Sequence, residues 1–137
     1  MATILIIEDD PNSVNILTRV LERAGHEILV ATEGLSGVKA ISQQPVDLVL
    51  LDMGLPDLGG HTVAALIKRV PGDVPIVAVS ASTEAATENR AINYGCAGYI
   101  TKPINTRTFA DQVAVYLNKQ SGDASIADMK TTIKLVK

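Results

Sequence analysis

Cysteine is nearly missing: Cys96 is the only one in 137 residues, so no internal disulfide can form, and the chain suits a reducing compartment. Flanked by Gly95 and Ala97, that thiol reads as a small packed side chain rather than a reactive one. Clustered lysine or arginine is missing as well, and with a net charge of -3 the chain lacks the electrostatic footprint of a nucleic-acid binder. Residues 1–7 carry no basic flank and run directly into Glu8-Asp9-Asp10, so neither a signal peptide nor a membrane span is expected, and the chain is placed in the cytoplasm. No Cys or His pair stands at metal-ligand spacing. His26 and His61 have no partner in the sequence and read as surface or structural residues.

What remains is ordinary globular material, 47% apolar and 20% charged, enough for one domain that hides roughly two thirds of its unfolded surface. Residues 3–7 form a short β-branched run, followed by apolar residues at helical spacing, Val14, Ile16, Leu17, Val20 and Leu21. Asp10 is placed to cap that helix, Pro11 suits its first turn and Gly25 its end. The alternation continues with strands over 26–31, 46–51, 74–79 and 97–101, and helices over 35–42, 61–70, 83–94 and 106–118. Five repeats of strand then helix, with the strands as continuous apolar runs, predict a doubly wound α/β fold with a parallel sheet covered on both faces. Composition shifts only at Gln120-Ser121-Gly122-Asp123, which divides the chain into a domain, 1–119, and a tail, 120–137.

Ligands of open parallel sheets bind outside the carboxyl ends of the strands. Those ends carry Glu8-Asp9-Asp10 after the first strand, Asp52 after the third, Ser80 after the fourth and Thr101-Lys102-Pro103 after the fifth. Acids crowded into one crevice repel one another unless a cation sits among them. Oxygen-only ligands point to a hard ion, and a ligand-poor site that keeps waters favours Mg²⁺. Asp10 is left out of the site because it precedes Pro11 as a helix cap. Taken singly, Asp52 could be a turn residue, Ser80 a helix cap and Lys102 an exposed loop lysine; their conjunction at separate strand ends is what points to phosphoryl transfer onto a carboxylate.

The motifs ILIIEDD at 4–10, LLDMGLPDLGG at 50–60, VAVSAS at 77–82 and GYITKP at 98–103 resemble the receiver domains of two-component response regulators, over residues 2 to about 119. The resemblance implies a flavodoxin-like (βα)₅ sheet of order 2-1-3-4-5, an order for which a member of this family is itself a standard example. It implies Asp52 as phosphoacceptor, Glu8 and Asp9 as the acidic pair, and the Gly54 carbonyl as a further Mg²⁺ ligand. It also implies Ser80 as switch hydroxyl, Tyr99 as switch aromatic, Lys102 as the phosphate-pairing lysine, and a cis Lys102-Pro103 peptide. The expected partners are a histidine kinase or histidine phosphotransfer protein as donor and a downstream protein as target. The domain would stand alone and catalyse its own phosphorylation and slow dephosphorylation.

Ser80 stands where many relatives have threonine. Gly54 and Ser82, flanking the site, offer no carboxylate or amide to orient a hydrolytic water. An aspartate-nucleophile phosphatase would need a second Asp where Gly54 stands, and a flavin phosphate would not tolerate the acidic 8–10 loop. The bland alternative is a degenerate receiver that only docks proteins. In the tail, Ile126, Met129, Ile133 and Val136 recur at helical spacing among Lys130, Lys134 and Lys137, which suits either a short docking helix or a frayed terminus.

Overall fold

The computed structural model describes residues 2–55, 57–81 and 84–121, with side chains to residue 117. Five strands, β1 (Thr3–Ile7), β2 (Glu27–Ala31), β3 (Leu48–Asp52), β4 (Ile76–Ser80) and β5 (Gly98–Thr101), alternate with five helices. These are α1 (Pro11–Arg23), α2 (Gly34–Gln43), α3 (Gly60–Arg69), α4 (Ala85–Asn93) and α5 (Phe109–Ser121). The strands form one parallel sheet of order β2-β1-β3-β4-β5, as the resemblance implied.

Side chains alternate across a strand, so each apolar run feeds two cores at once. Leu5, Ile7, Val49, Leu51, Ile76 and Ala78 face α2, α3 and α4, where they meet Ile41, Val63, Ile67 and Ala91. Ile4, Ile6, Leu48, Leu50, Val77, Val79 and Ile100 face α1 and α5, where they meet Leu17, Leu21, Phe109 and Val113. Cys96 is buried on the first of these faces, and burial pushes its thiol up to about 11.

Helix α1 begins as its sequence predicts: Asp10 is extended and accepts from the Asn12 amide at 3.3 Å, and Pro11 opens the helix. Gly25 follows its end at φ 95°, a conformation that costs a side-chain-bearing residue about 1 kcal/mol or more. Gly98 is needed for space: a Cβ there would lie 2.2 Å from the Tyr116 ring, which covers the strand.

Departures from the sequence reading concern the ends of elements. Helix α4 starts at Ala85 rather than at 83, with Glu84 at the cap position, so Ser80 closes β4 and is no helix cap. Helix α5 starts later than 106 and runs to Ser121, because Lys119-Gln120 are good helix formers and no breaker comes before Gly122. Tail positions Ile126, Met129, Lys130, Ile133, Lys134, Val136 and Lys137, and Ser82 beside the site, lie outside the described residues.

Candidate functional site

Parallel pairing sets all five carboxyl ends on one edge. Ile7 pairs with Leu51, Asp52 with Val79, and Ser80 with Thr101, so the residues just beyond those pairs converge. Alternation then sorts them. Asp52 continues the series Leu48, Leu50 on the α1/α5 face, whereas Ser80 continues Ile76, Ala78 on the α2–α4 face, which Tyr99 shares through its pairing with Ala78.

Carboxylate oxygens of Glu8, Asp9 and Asp52 lie within 4.8 Å of one another. Two like charges at that separation repel by about 3 kcal/mol at an effective dielectric of about 20. Part of this is relieved inside the protein. Glu8, only 2% exposed, accepts from Lys102 Nζ at 2.7 Å and, through its other oxygen, from the Asp10 amide at 3.2 Å. Lys102 Nζ also stands 3.7 Å from Asp52 Oδ1. The cis Lys102-Pro103 peptide follows directly, as expected.

Burial pushes the Glu8 carboxyl above its ordinary range, opposed by the Lys102 hydrogen bond and reinforced by the Asp52 carboxylate. Burial works against the Lys102 charge, but the bond to Glu8 and the Asp52 carboxylate outweigh it, and its net shift is upward. Lys102 therefore offsets the charge of Glu8 and, at longer range, part of that of Asp52. Three carboxylates of hard oxygen beside one lysine fit a divalent cation, and the acidic pocket is able to hold one. Gly54 sits at its mouth: its amide donates to Asp52 Oδ1 at 3.1 Å, and a Cβ would find only that oxygen, at 3.7 Å.

Glu8, Asp9, Asp52, Gly54, Ser80 and Lys102 stand at this edge, whereas Tyr99 lies two residues back along β5, opposite Ala78. What the sequence reading missed is the Glu8–Lys102 pair, because 94 residues separate the partners, and the role of Asp57. From the loop after β3, the Asp57 carboxylate accepts from the amides of Gly34 at 2.9 Å and Leu35 at 3.1 Å, at the start of α2. Its only sequence signal is negative: Glu33, in the cap position of α2, makes no side-chain cap bond of its own.

The family model of the response regulator receiver domain matches residues 4–114, and the chain belongs to that family. It is 27% identical over 126 residues to the transcriptional regulatory protein KdpE of Mycobacterium tuberculosis, which covers 92% of this chain but only 55% of KdpE. The chain thus spans about half the length of that relative. It is 29% identical over 124 residues to the polar-differentiation response regulator DivK of Brucella ovis, covering 89% of this chain and 98% of DivK. A CheY-like receiver domain from Methanospirillum hungatei superposes with a TM-score of 0.84 at 24% identity, over 90% of this chain and 99% of that one. As a receiver domain homologous to response regulators, the chain has the phosphoacceptor role of two-component signalling, a family role played between histidine kinases and downstream targets. Among the described residues no helix is long and apolar enough to cross a membrane.

Proposed function

We propose that Asp52 is the residue that receives the phosphoryl group, from a phosphohistidine on a histidine kinase or phosphotransfer protein, with Mg²⁺ held by Asp9, Asp52, the Gly54 carbonyl and Glu8. The observation that carries this reading is the position of Asp52, at the end of β3 between an acidic pair and Lys102 Nζ. A carboxylate oxygen of Asp52 attacks phosphorus as the phosphorus–nitrogen bond to the donor imidazole breaks, and the imidazole leaves with a proton. Magnesium, when bound there, would supply charge neutralisation for the phosphoryl oxygens. Lys102, between Glu8 and Asp52, reaches a phosphoryl oxygen while keeping Glu8 neutralised. Glu8 has both oxygens engaged, so its part would be to hold Lys102 and to add negative charge beside the ion. The domain in this reading catalyses its own phosphorylation and slow dephosphorylation.

Residues 1–119 act as the receiver and 120–137 as an appendage, in a cytoplasmic chain whose one buried thiol suits a reducing compartment. The donor must cover the rim of the site, where a groove of about 360 Å³ runs between Ser13 and Ile16 of α1 and Ala81, Lys102, Pro103 and Ile104. The signal leaves through Ser80, which donates to the new phosphoryl oxygens and draws the following loop inward, and through Tyr99 on the same face, which moves between two poses.

Acetyl phosphate with Mg²⁺ should add one phosphoryl group by intact mass, and Asp52→Asn should abolish it with the fold retained. Asp9→Ala should flatten the Mg²⁺ dependence. Ser80→Ala should accept the phosphoryl group yet lose the amide shift changes that beryllofluoride causes across residues 83–116. A wild-type chain that gains no phosphoryl mass is a protein-docking module instead, and labelling of Asp52→Asn at the wild-type level removes Asp52 from the role.

A further inference from the structure

Gly54 is the one member of the acidic site whose contribution is a backbone carbonyl, so its usefulness depends on which way one peptide unit faces. Nothing in the residue itself fixes that: it has no side chain, and the space where a Cβ would stand is open but for Asp52 Oδ1 at 3.7 Å. Orientation has to come from what flanks it. Upstream, the Met53 amide donates to the Val79 carbonyl at 3.2 Å, which ties the start of the loop to β4. Downstream, Leu55 is buried in the α2–α4 core, an apolar contact that sets depth but not direction. The directional anchor is Asp57, whose two carboxylate oxygens each accept from one amide of α2.

The Gly34 bond, and then the Leu35 bond together with the loop's own amides at Asp57 and Leu58, hold the Asp57 carboxyl below its ordinary range even though the side chain is exposed. The junction has little room to shift. A Cβ on Gly34 would lie 2.7 Å from Val63 Cγ2, 3.3 Å from Leu58 Cβ and 3.4 Å from Asp57 Oδ1, so α2, the loop and α3 meet at closest approach there. At the far end of the loop, a Cβ on Gly60 would lie 2.6 Å from Met53 Sδ.

We propose that Asp57 is a positioning residue for phosphoryl transfer: by tying the chain after β3 to the first turn of α2, it fixes which way the Gly54 carbonyl faces. The inference rests on the reading of Asp52, Asp9 and Gly54 as the magnesium site. Asp57 touches neither metal nor phosphoryl group and acts through the loop. It also caps α2, and the two roles separate because α2 has an empty cap of its own: Glu33 is extended (φ −136°, ψ 155°) and makes no side-chain cap bond, so a shorter acid there can satisfy the helix without the loop.

The test uses the full chain and Mg²⁺ alone, titrated calorimetrically in about 1 M KCl, where charges more than about 3 Å apart are screened and the lost charge of Asp57 contributes little. Asp57→Ala should weaken Mg²⁺ binding on the order of 10-fold, the usual scale for groups that orient metal ligands. Adding Glu33→Asp to Asp57→Ala should return the midpoint of thermal unfolding toward the wild type and leave Mg²⁺ binding weak. Should Asp57→Ala alone fail to fold, the recapped double variant carries the measurement, with Asp57→Asn beside it. Mg²⁺ affinity unchanged in Asp57→Ala, or restored by Glu33→Asp, overturns the proposal and leaves Asp57 a helix cap. A wild-type chain that binds no Mg²⁺ overturns the reading of the site itself, and this inference with it.

Discussion

The two faces of the sheet are built differently. On the α1/α5 face, large side chains from both helices, Leu17, Leu21, Phe109 and Val113, are fully buried, and α1 is capped by its own Asp10. On the other face, α2, α3 and α4 begin without a side-chain cap from their own cap positions, and α4 buries Ala91 alone. Asp52 lies on the α1/α5 face, and Ser80 and Tyr99 on the other. Reacting groups must be held to within a fraction of an ångström, which favours the face on which both covering helices bury large side chains. A surface that changes shape with the state of Asp52 needs an element of low local stability, and α4 is built as one.

The difference can be broken first by cutting into the α1/α5 core: Leu17→Ala should cost about 3 kcal/mol in urea unfolding, and a loss below about 1 kcal/mol contradicts the account of that face. Lys102→Met should cost about 2 kcal/mol in magnesium-free buffer near neutral pH, because it leaves the Glu8 carboxylate, 2% exposed, without its cation. The loss should shrink in acid. Glu8 has a raised carboxyl pKa in the fold, so the stability linked to it is complete below its ordinary value of 4.5 and falls as pH rises through the raised one. Removing Lys102 steepens that fall, and a pH-independent cost counts against the pairing.

On the looser face, Ala91→Gly should cost between about 1 and 2 kcal/mol, from one buried methyl and the glycine penalty in a helix. In the wild type, the α4 amides should exchange with solvent on the order of 10-fold faster than those in the middle of α1. Equal protection removes the contrast. The smallest effect is at Asp57, and its pH dependence has the opposite sign to that of Glu8. Its carboxyl pKa is lowered in the fold, so its contribution is present above the ordinary value of 3.8 and disappears as pH falls through the lowered one. Asp57→Asn should therefore differ from the wild type in unfolding midpoint near neutral pH and converge with it in strong acid; divergence there contradicts the capping bonds.

How much was legible in the sequence depends on the range over which each signal acts. Strands announced themselves as apolar runs, and α1 as a periodic stretch between Asp10-Pro11 and Gly25, because caps and periodicity are written in adjacent residues. The starts of α2, α3 and α4 were placed a residue or two away from where they fall, because their cap positions carry Glu33, Gly59 and Glu84 with no side-chain cap bond to mark them. At the site, the residue types converging on one edge were readable from the positions at the carboxyl end of each strand. The pairing among them was not: Glu8 with Lys102 joins positions 94 apart, and Asp57 with Gly34 positions 23 apart, distances that only the folded sheet closes. Alternation did hold one unused signal, since the parity of Asp52 and Ser80 within their strands already assigns them to opposite faces.

Cys96 sits behind α4, 4% exposed, at the turn that feeds β5, with its thiol pushed up to about 11. At neutral pH it is both shielded and almost wholly protonated, so an alkylating reagent has neither access nor a thiolate to attack. Its rate of labelling in the native protein should therefore report the openings that expose the turn between α4 and β5. The chain carries a single-site chemical clock on its looser face, with no second thiol to confuse the reading.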